Sequence, residues 1–384
     1  MAVSRARTAW VNRGLCERGS KCFRPANFWS RPWCWSSAIR RFSPSRSLAL
    51  FVVVLLVFFS SWAHAEPDTS IEAGKTPSRT IEWTDREGVR IDAVQIDASP
   101  SIVLIRCRDV VISASVLRDI MLADCQNVVV IDNRIRDSPR VGVALDDCDD
   151  VRINGNRFSR VASGVYAHNS RGVRVIRNSA DDVQGPMPRG QLVQFDKVTG
   201  PGNEIAYNVA RNRRGTSQPE DAINLFQSHG TPDQPIDVHH NLLMGDPTHG
   251  SDGKSDSGSG IMLGDGGGSH QIARNNVLIS PGQVGIGVAG GEEIAVIENR
   301  VVGRASDVSN VGIYAWNQYD QPGGRVIIAR NDVHWTNAQG KPNDIWFGDG
   351  FREIRDEGNR SRAIDLLDEP ALIQAWKRSV QADR

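Results

Sequence analysis

Val128-Val129-Val130-Ile131-Asp132-Asn133-Arg134-Ile135 returns 23 residues later as Val151-Arg152-Ile153-Asn154-Gly155-Asn156-Arg157-Phe158. In both copies apolar residues alternate, an asparagine stands three places after the last of them, and an apolar residue follows two places on. The same spacing carries outward to Asn178, Asn208, Asn241, Asn276, Asn299 and Asn331, with gaps of 22 to 35 residues between successive asparagines. Period-two alternation is the pattern of a strand with one buried face, so the chain is a repeat of short strands.

A second alternating strand lies between successive asparagine motifs. Ten of these begin at Ile102, Ile120, Val143, Val165, Val193, Ile223, Ile261, Ile286, Ile313 and Ile345, many directly after a glycine such as Gly142, Gly164, Gly260, Gly285 and Gly312. No helix-length apolar stripe separates the strands, which excludes βαβ units, because a parallel crossover of that kind needs a helix. A solenoid satisfies the pattern, each coil pairing with those above and below, and ten rungs at the inter-strand spacing stack to roughly 45–50 Å. The asparagines then meet at one turn of successive coils and hydrogen-bond along the axis as a ladder. Cys107, Cys125, Cys148 and Ser170 share another register, five residues into their strands, and read as a ladder of small buried side chains.

With the turns of the Ile-x-Asn-Arg-Ile type, such as Ile131 to Ile135, and the Gly-Ile or Gly-Val strand starts, the chain resembles the right-handed parallel β-helix, pectate lyase-like superfamily. That group includes pectate lyases, polygalacturonases and alginate-epimerase-like proteins. The resemblance covers about residues 90–360 and implies a secreted protein that handles polysaccharide, often acidic, on one sheet face. No Gly-His-Gly with paired Asp, no Trp-x-Asp-His and no Asp-Pro-His-Asp occurs, so no family active-site residue carries over. The expected fold is all-β: a right-handed parallel β-helix of about ten coils over 91–360, an N-terminal cap at 66–90 and a C-terminal helical cap at 361–384. Asp368-Glu369-Pro370 has the acids and proline of a helix start, and Leu372, Ile373 and Trp376 are expected to pack on the last coil.

Residues 1–46 carry ten Lys or Arg against one acid, Glu17, and precede an uncharged apolar run, Leu48 to Phe59, ending in Ala63-His64-Ala65. This is the pattern of an export signal at 1–65, cleaved after Ala65, with no stable membrane span left afterwards and a periplasmic or extracellular destination. The whole chain has 45 basic and 45 acidic side chains, and removing the segment leaves 35 and 44, a net charge of −9. Such a balance excludes general nucleic-acid binding, which needs a dense positive surface. A polyanionic substrate would have to be held by local cations. Three cysteines remain beyond the segment, an odd number that argues against a disulfide framework, and none has zinc-ligand spacing.

Coils after Asp181 carry long insertions, including Arg211 to Glu220 and Gly245 to Gly260, and these would wall a cleft over the strands from Val165 to Ile345. Alternation points His168, Gln194, Asp196, Asn224, Tyr314 and Trp316 outward, with Lys197, Gln227, Asp265 and Asn317 one step further on. Aromatic faces beside carboxylates and amides suit sugar binding. The expected catalytic set is Asp196, Lys197, Asp221 and Asp265: paired carboxylates for glycoside hydrolysis, or Lys197 as base in a β-elimination at a uronate. Calcium is the alternative occupant of the same carboxylates; no cofactor is otherwise implied. The stretch Gln218 to Asn224 puts Glu220 and Asp221 at a strand start beside Arg211, Arg213 and Arg214. The glycines from Gly258 to Gly268 lack the Gly-Lys-Ser/Thr of a phosphate loop and read as a tight bend. The function these features predict is polysaccharide modification, as a lyase, hydrolase or epimerase; the rival is a non-catalytic glycan-binding or envelope-scaffold protein. Substrate identity and oligomeric state are not encoded in any motif.

Overall fold

The computed structural model describes residues 80–94, 101–186, 188–213, 215–245 and 258–382, and the backbone of Ser70–Ile71. The export segment at 1–65 and the acidic stretch Asp252 to Asp256 lie outside the described residues.

Alternation decides the architecture. Each coil contributes three short parallel strands, and each strand pairs with its equivalents one coil before and one coil after. The first sheet runs from Ile81–Thr84 to Ile345–Phe347. Its inward residues stack in one column, with Val193, Ile223 and Ile261 directly paired, and Ile102 through Ile313 in that column are fully buried. Removing each such side chain from water contributes about 1.5–3 kcal/mol, which is why the register is firmly set. Ile81–Thr84 adds a rung inside the stretch read from the sequence as a cap, pairing Ile81 with Ile102 and Trp83 with Leu104.

The second sheet carries the strands that precede the asparagines, and the third those that follow. Between them the chain turns on two residues. The first adopts a left-handed conformation, as at Asp132, Gly155, Arg177, Tyr207, Asn275 and Arg330, and the second is the ladder asparagine. Along the ladder Asn133, Asn156, Asn178, Asn208, Asn241, Asn276, Asn299 and Asn331 each donate from Nδ2 to the next Oδ1 at 2.9–3.1 Å, ending at Asn359. Each of these Oδ1 atoms also accepts the backbone N–H of the preceding asparagine. Ser115 fills the equivalent place one coil earlier, accepting Val94 N–H at 3.0 Å. Cys107, Cys125 and Cys148 are buried, unoxidised thiols in their own column. Burial pushes the Cys107 thiol up, as expected of a structural cysteine.

The C-terminal helix, Glu369–Ala382, forms where the sequence places it, with Asp368 Oδ1 accepting the Ala371 N–H at 3.0 Å. Its docking differs from the expectation. Leu372, Trp376 and Val380 pack against the outward faces of Leu242, Val277, Ile279 and Val302 on the third sheet, with Tyr207 and Val209 at the edge, and Trp376 Nε1 donates to the His240 carbonyl at 2.8 Å. The helix therefore lies along the flank and not on the last coil. The reason is apolar surface: these third-sheet strands are hydrophobic on both sides, and only a second layer buries the outer side. No described helix is long and apolar enough to cross a membrane.

Candidate functional site

The outward column of the first sheet starts at Glu82, runs through the apolar Val103, Met121 and Ala144, and gains polar partners again at Tyr166. Register then aligns Tyr166, Gln194, Asn224, Met262, Gly287, Tyr314 and Trp346 on successive rungs. Two hydrogen-bonded groups occupy this face.

The first group spans the rungs of Val165 and Val193. Tyr166 OH donates to Asp196 Oδ2 at 2.6 Å, and the Arg189 guanidinium lies 4.2 Å from the Tyr166 ring centre. Burial, then the Asp196 bond, raises the Tyr166 hydroxyl well above its ordinary value. His168 stacks beside Tyr166 and bonds Asp146 through Nδ1 at 2.7 Å. Lys197 Nζ stands 3.9 Å from Asp196 Oδ1, and its side chain is 51% exposed.

The second group is centred on Asn224, which is buried. Its Oδ1 accepts from Gln194 Nε2 at 3.0 Å, and its Nδ2 donates to Asp221 Oδ2 at 2.8 Å and to Asp265 Oδ2 at 2.9 Å. Sharing one donor holds those two carboxyl oxygens within about 6 Å, the sum of the two bonds at most. Asp221 Oδ1 accepts the Ser259 N–H, and Tyr319 OH donates to Asp265 Oδ1. Burial pushes the Asp221 carboxyl up, and the Asp265 charge adds to it. Burial, together with the Asp221 and Asp265 charges, pushes the neighbouring Glu220 carboxyl up to about 7.

A bulge places Asp265 here. Regular pairing would set Gly264 opposite Phe226, but the register shifts and Phe226 pairs with Asp265. Gly264 absorbs the extra residue at φ +63°, and a Cβ there would stand 2.0 Å from the Gly290 carbonyl oxygen, so only glycine fits. The glycine-rich stretch is thus a bend with close coil stacking.

Of the residues singled out in the sequence, Asp221, Asp265, Asn224 and Gln194 converge, whereas Asp196 belongs to the other group with His168 and Lys197. Tyr314 requires correction as an exposed aromatic subsite. It is 6% exposed, its hydroxyl accepting from Gln318 Nε2 at 2.9 Å and facing Met262 Sδ at 3.3 Å. The turn from Asn317 folds over it, and the aromatics left open are Trp316 and Tyr319, 44% and 38% exposed. Asn317 is spent on that turn, donating to the Gln321 carbonyl at 2.6 Å and to the Gly350 carbonyl, while Gln227 lies at the bend in a left-handed conformation. Tyr319 and Arg189 join the site without having been picked out from sequence, whereas alternation already turns Tyr166 outward and the paired acids Glu220-Asp221 already mark that strand start. Among the described residues no three His, Cys, Asp or Glu side chains are grouped to hold a metal ion.

No curated protein sequence matches the chain. Among solved structures it is similar to the catalytic domain of a GH87 α-1,3-glucanase, at 14% identity and a TM-score of 0.47, over 76% of this chain and 64% of that one. It is also similar to the periplasmic alginate epimerase AlgG, at 12% identity and a TM-score of 0.44, over 73% of this chain and 76% of that one. A third is PfbA, a surface adhesin of Streptococcus pneumoniae, at 11% identity and a TM-score of 0.46, over 74% of this chain and 72% of that one. The family model described as right handed beta helix region matches residues 79–242. With that match and three parallel sheets wound coil on coil, the chain is a right-handed parallel β-helix repeat protein.

Proposed function

We propose that this protein is an exported, periplasmic or extracellular, glycoside hydrolase that cleaves a polysaccharide lying along the outward face of the first sheet. The observation that carries the reading is the convergence of Glu220, Asp221 and Asp265 beside Tyr319, with the exposed ring of Trp316 two rungs further along the same sheet. Glycoside hydrolysis needs one carboxyl that holds a proton near neutrality and a second that acts as base or nucleophile. Glu220 supplies the proton to the glycosidic oxygen. Asp265, accepting hydrogen bonds from Asn224 and Tyr319 as a carboxylate does, is the partner. Asp221 is 8% exposed and both its oxygens are engaged, so it positions Asn224 and helps keep Glu220 protonated. Trp316 and Tyr319 stack sugar rings, and Gln194 orients the Asn224 amide. Elimination or epimerisation through Lys197 is less well supported, because a lysine base must be desolvated and this ammonium is half exposed.

Incubation with a panel of neutral and uronate polysaccharides tests the reading. Hydrolysis releases reducing ends without ultraviolet absorbance, and Glu220→Gln and Asp265→Asn each lower the rate about 10²–10⁴-fold. Unsaturated, absorbing products would reassign the site to a lyase. Both Asp265 oxygens are already bonded within the protein, an observation that favours the non-catalytic glycan-binding rival; retained binding without turnover on the panel would establish it.

A further inference from the structure

We propose that a second binding site, for an acidic polysaccharide, lies on the outward face of the third sheet, apart from the carboxylate site. A cavity of about 630 Å³ opens there, lined by Arg134, Arg136, Arg157, Arg160, Arg211 and Arg213, with Ser159, Asp181 and Asp182. The strand registers explain the convergence. Arg134 pairs with Arg157, which pairs with Ser179 and then Val209, while Arg136 pairs with Ser159, then Asp181, then Arg211. Arg134 and Arg157 thus stand one rung, or about 4.8 Å, apart along the axis, and Arg136 and Arg211, in the neighbouring column, stand three rungs apart.

The charges do not cancel. Asp137 holds Arg160 and Arg136, Asp181 holds Arg157, and Asp182 holds Arg213. The side chains of Arg134 and Arg211 have no hydrogen bond or ion pair among the described residues, and both residues are exposed. Six guanidiniums therefore face three carboxylates in a protein whose residues 66–384 are net acidic. A solvated face mixes signs, and packing does not account for these arginines either. Where the C-terminal helix covers the same sheet, the outward positions are Val209, Leu242 and Val277 instead.

Ion pairs exposed on both sides, such as Arg160 with Asp137, contribute at most about 1 kcal/mol each, so an incoming anion can displace them, whereas Asp182 is buried and keeps Arg213. A concave positive surface concentrates field, and guanidinium forks bind carboxylate or sulfate in a bidentate manner. The spread of these guanidiniums over four successive rungs suits an extended polyanionic chain. A nucleic acid is disfavoured by the acidic remainder of the molecule and by the absence of aromatic rings among the cavity's lining residues. This site does not depend on the hydrolase reading, since it shares no residue with it.

Binding of full-length protein to polygalacturonate, dextran and a DNA duplex, followed by calorimetry at about 0.05 and 0.2 M salt, tests the proposal. Polygalacturonate should bind, more weakly at the higher salt, and dextran should not compete for this component. The double variant Arg134→Ser, Arg211→Ser should bind it about ten-fold more weakly, the loss of two charge-assisted contacts, with an unchanged melting temperature. Arg134→Lys, Arg211→Lys should fall between, keeping charge but losing the fork. Trp316→Ala, in the other site, should leave this component intact. Salt-independent binding, wild-type affinity in the serine variant, or a duplex that outcompetes polygalacturonate would overturn it.

Discussion

The smallest unit that holds this fold together is a side-chain amide. Asn208 accepts the Asn178 N–H and Nδ2–H through Oδ1 and donates to the Val175 carbonyl at 2.8 Å and to Asn241 at 3.0 Å. Asn208→Ala strands several buried partners at once, and we expect a loss of about 2–4 kcal/mol in chemical denaturation, since each orphaned group costs roughly 1–3. Glu220 carries the pH dependence. Its carboxyl is held up at about 7 against an ordinary value of 4.5, so the folded state binds this proton more tightly than the unfolded one. Its stabilising contribution is complete below 4.5 and lost as pH rises through 7. Melting temperature between those pH values should therefore fall more steeply for wild type than for Glu220→Gln. At this scale the sequence was partly legible. Alternation told which side of the sheet Gln194, Asn224 and Tyr314 face, but not that the turn from Asn317 would bury Tyr314 and leave Tyr319 open. Facing outward is a local property, whereas exposure depends on which loop folds back.

Elements show the same division between local and non-local information. The start at Asp368-Glu369-Pro370 announced the C-terminal helix, and the capping bond forms there. Its seat was written less visibly, in Leu242-Leu243-Met244 and Val277-Leu278-Ile279, unbroken apolar runs in which a strand exposed on one side would alternate. Trp376→Ala removes the central contact and its bond to His240, so we expect about 3–5 kcal/mol of lost docking energy. Limited proteolysis within 364–382 should then become rapid while the solenoid stays resistant. The bulge is likewise non-local in effect. Gly264→Ala introduces a side chain 2.0 Å from the Gly290 carbonyl in a left-handed conformation, so Asp265 should leave Asn224 and hydrolysis should fall. A variant of unaltered activity would show that Asp265 is not held there by the bulge.

Across the whole molecule, stacking in register turns residues 30 or 52 positions apart into neighbours, as with Gln194 and Asn224, or Met262 and Tyr314. The eight asparagines and ten strand starts were sufficient to read that architecture, because each repeat states it again. The site was harder, since it arises once, from irregular insertions and a bulge that the repeat does not contain. What remains to be tested is whether that wall performs hydrolysis. The most direct measurement is the rate of reducing-end release against pH, on whichever polysaccharide of the panel is turned over, for wild type and Glu220→Gln. General-acid catalysis by Glu220 predicts wild-type activity that declines as pH rises through about 7, and a Gln variant about 10²–10⁴-fold slower without that limb. A Gln variant as fast as wild type, or a decline that persists unchanged in it, would contradict the account.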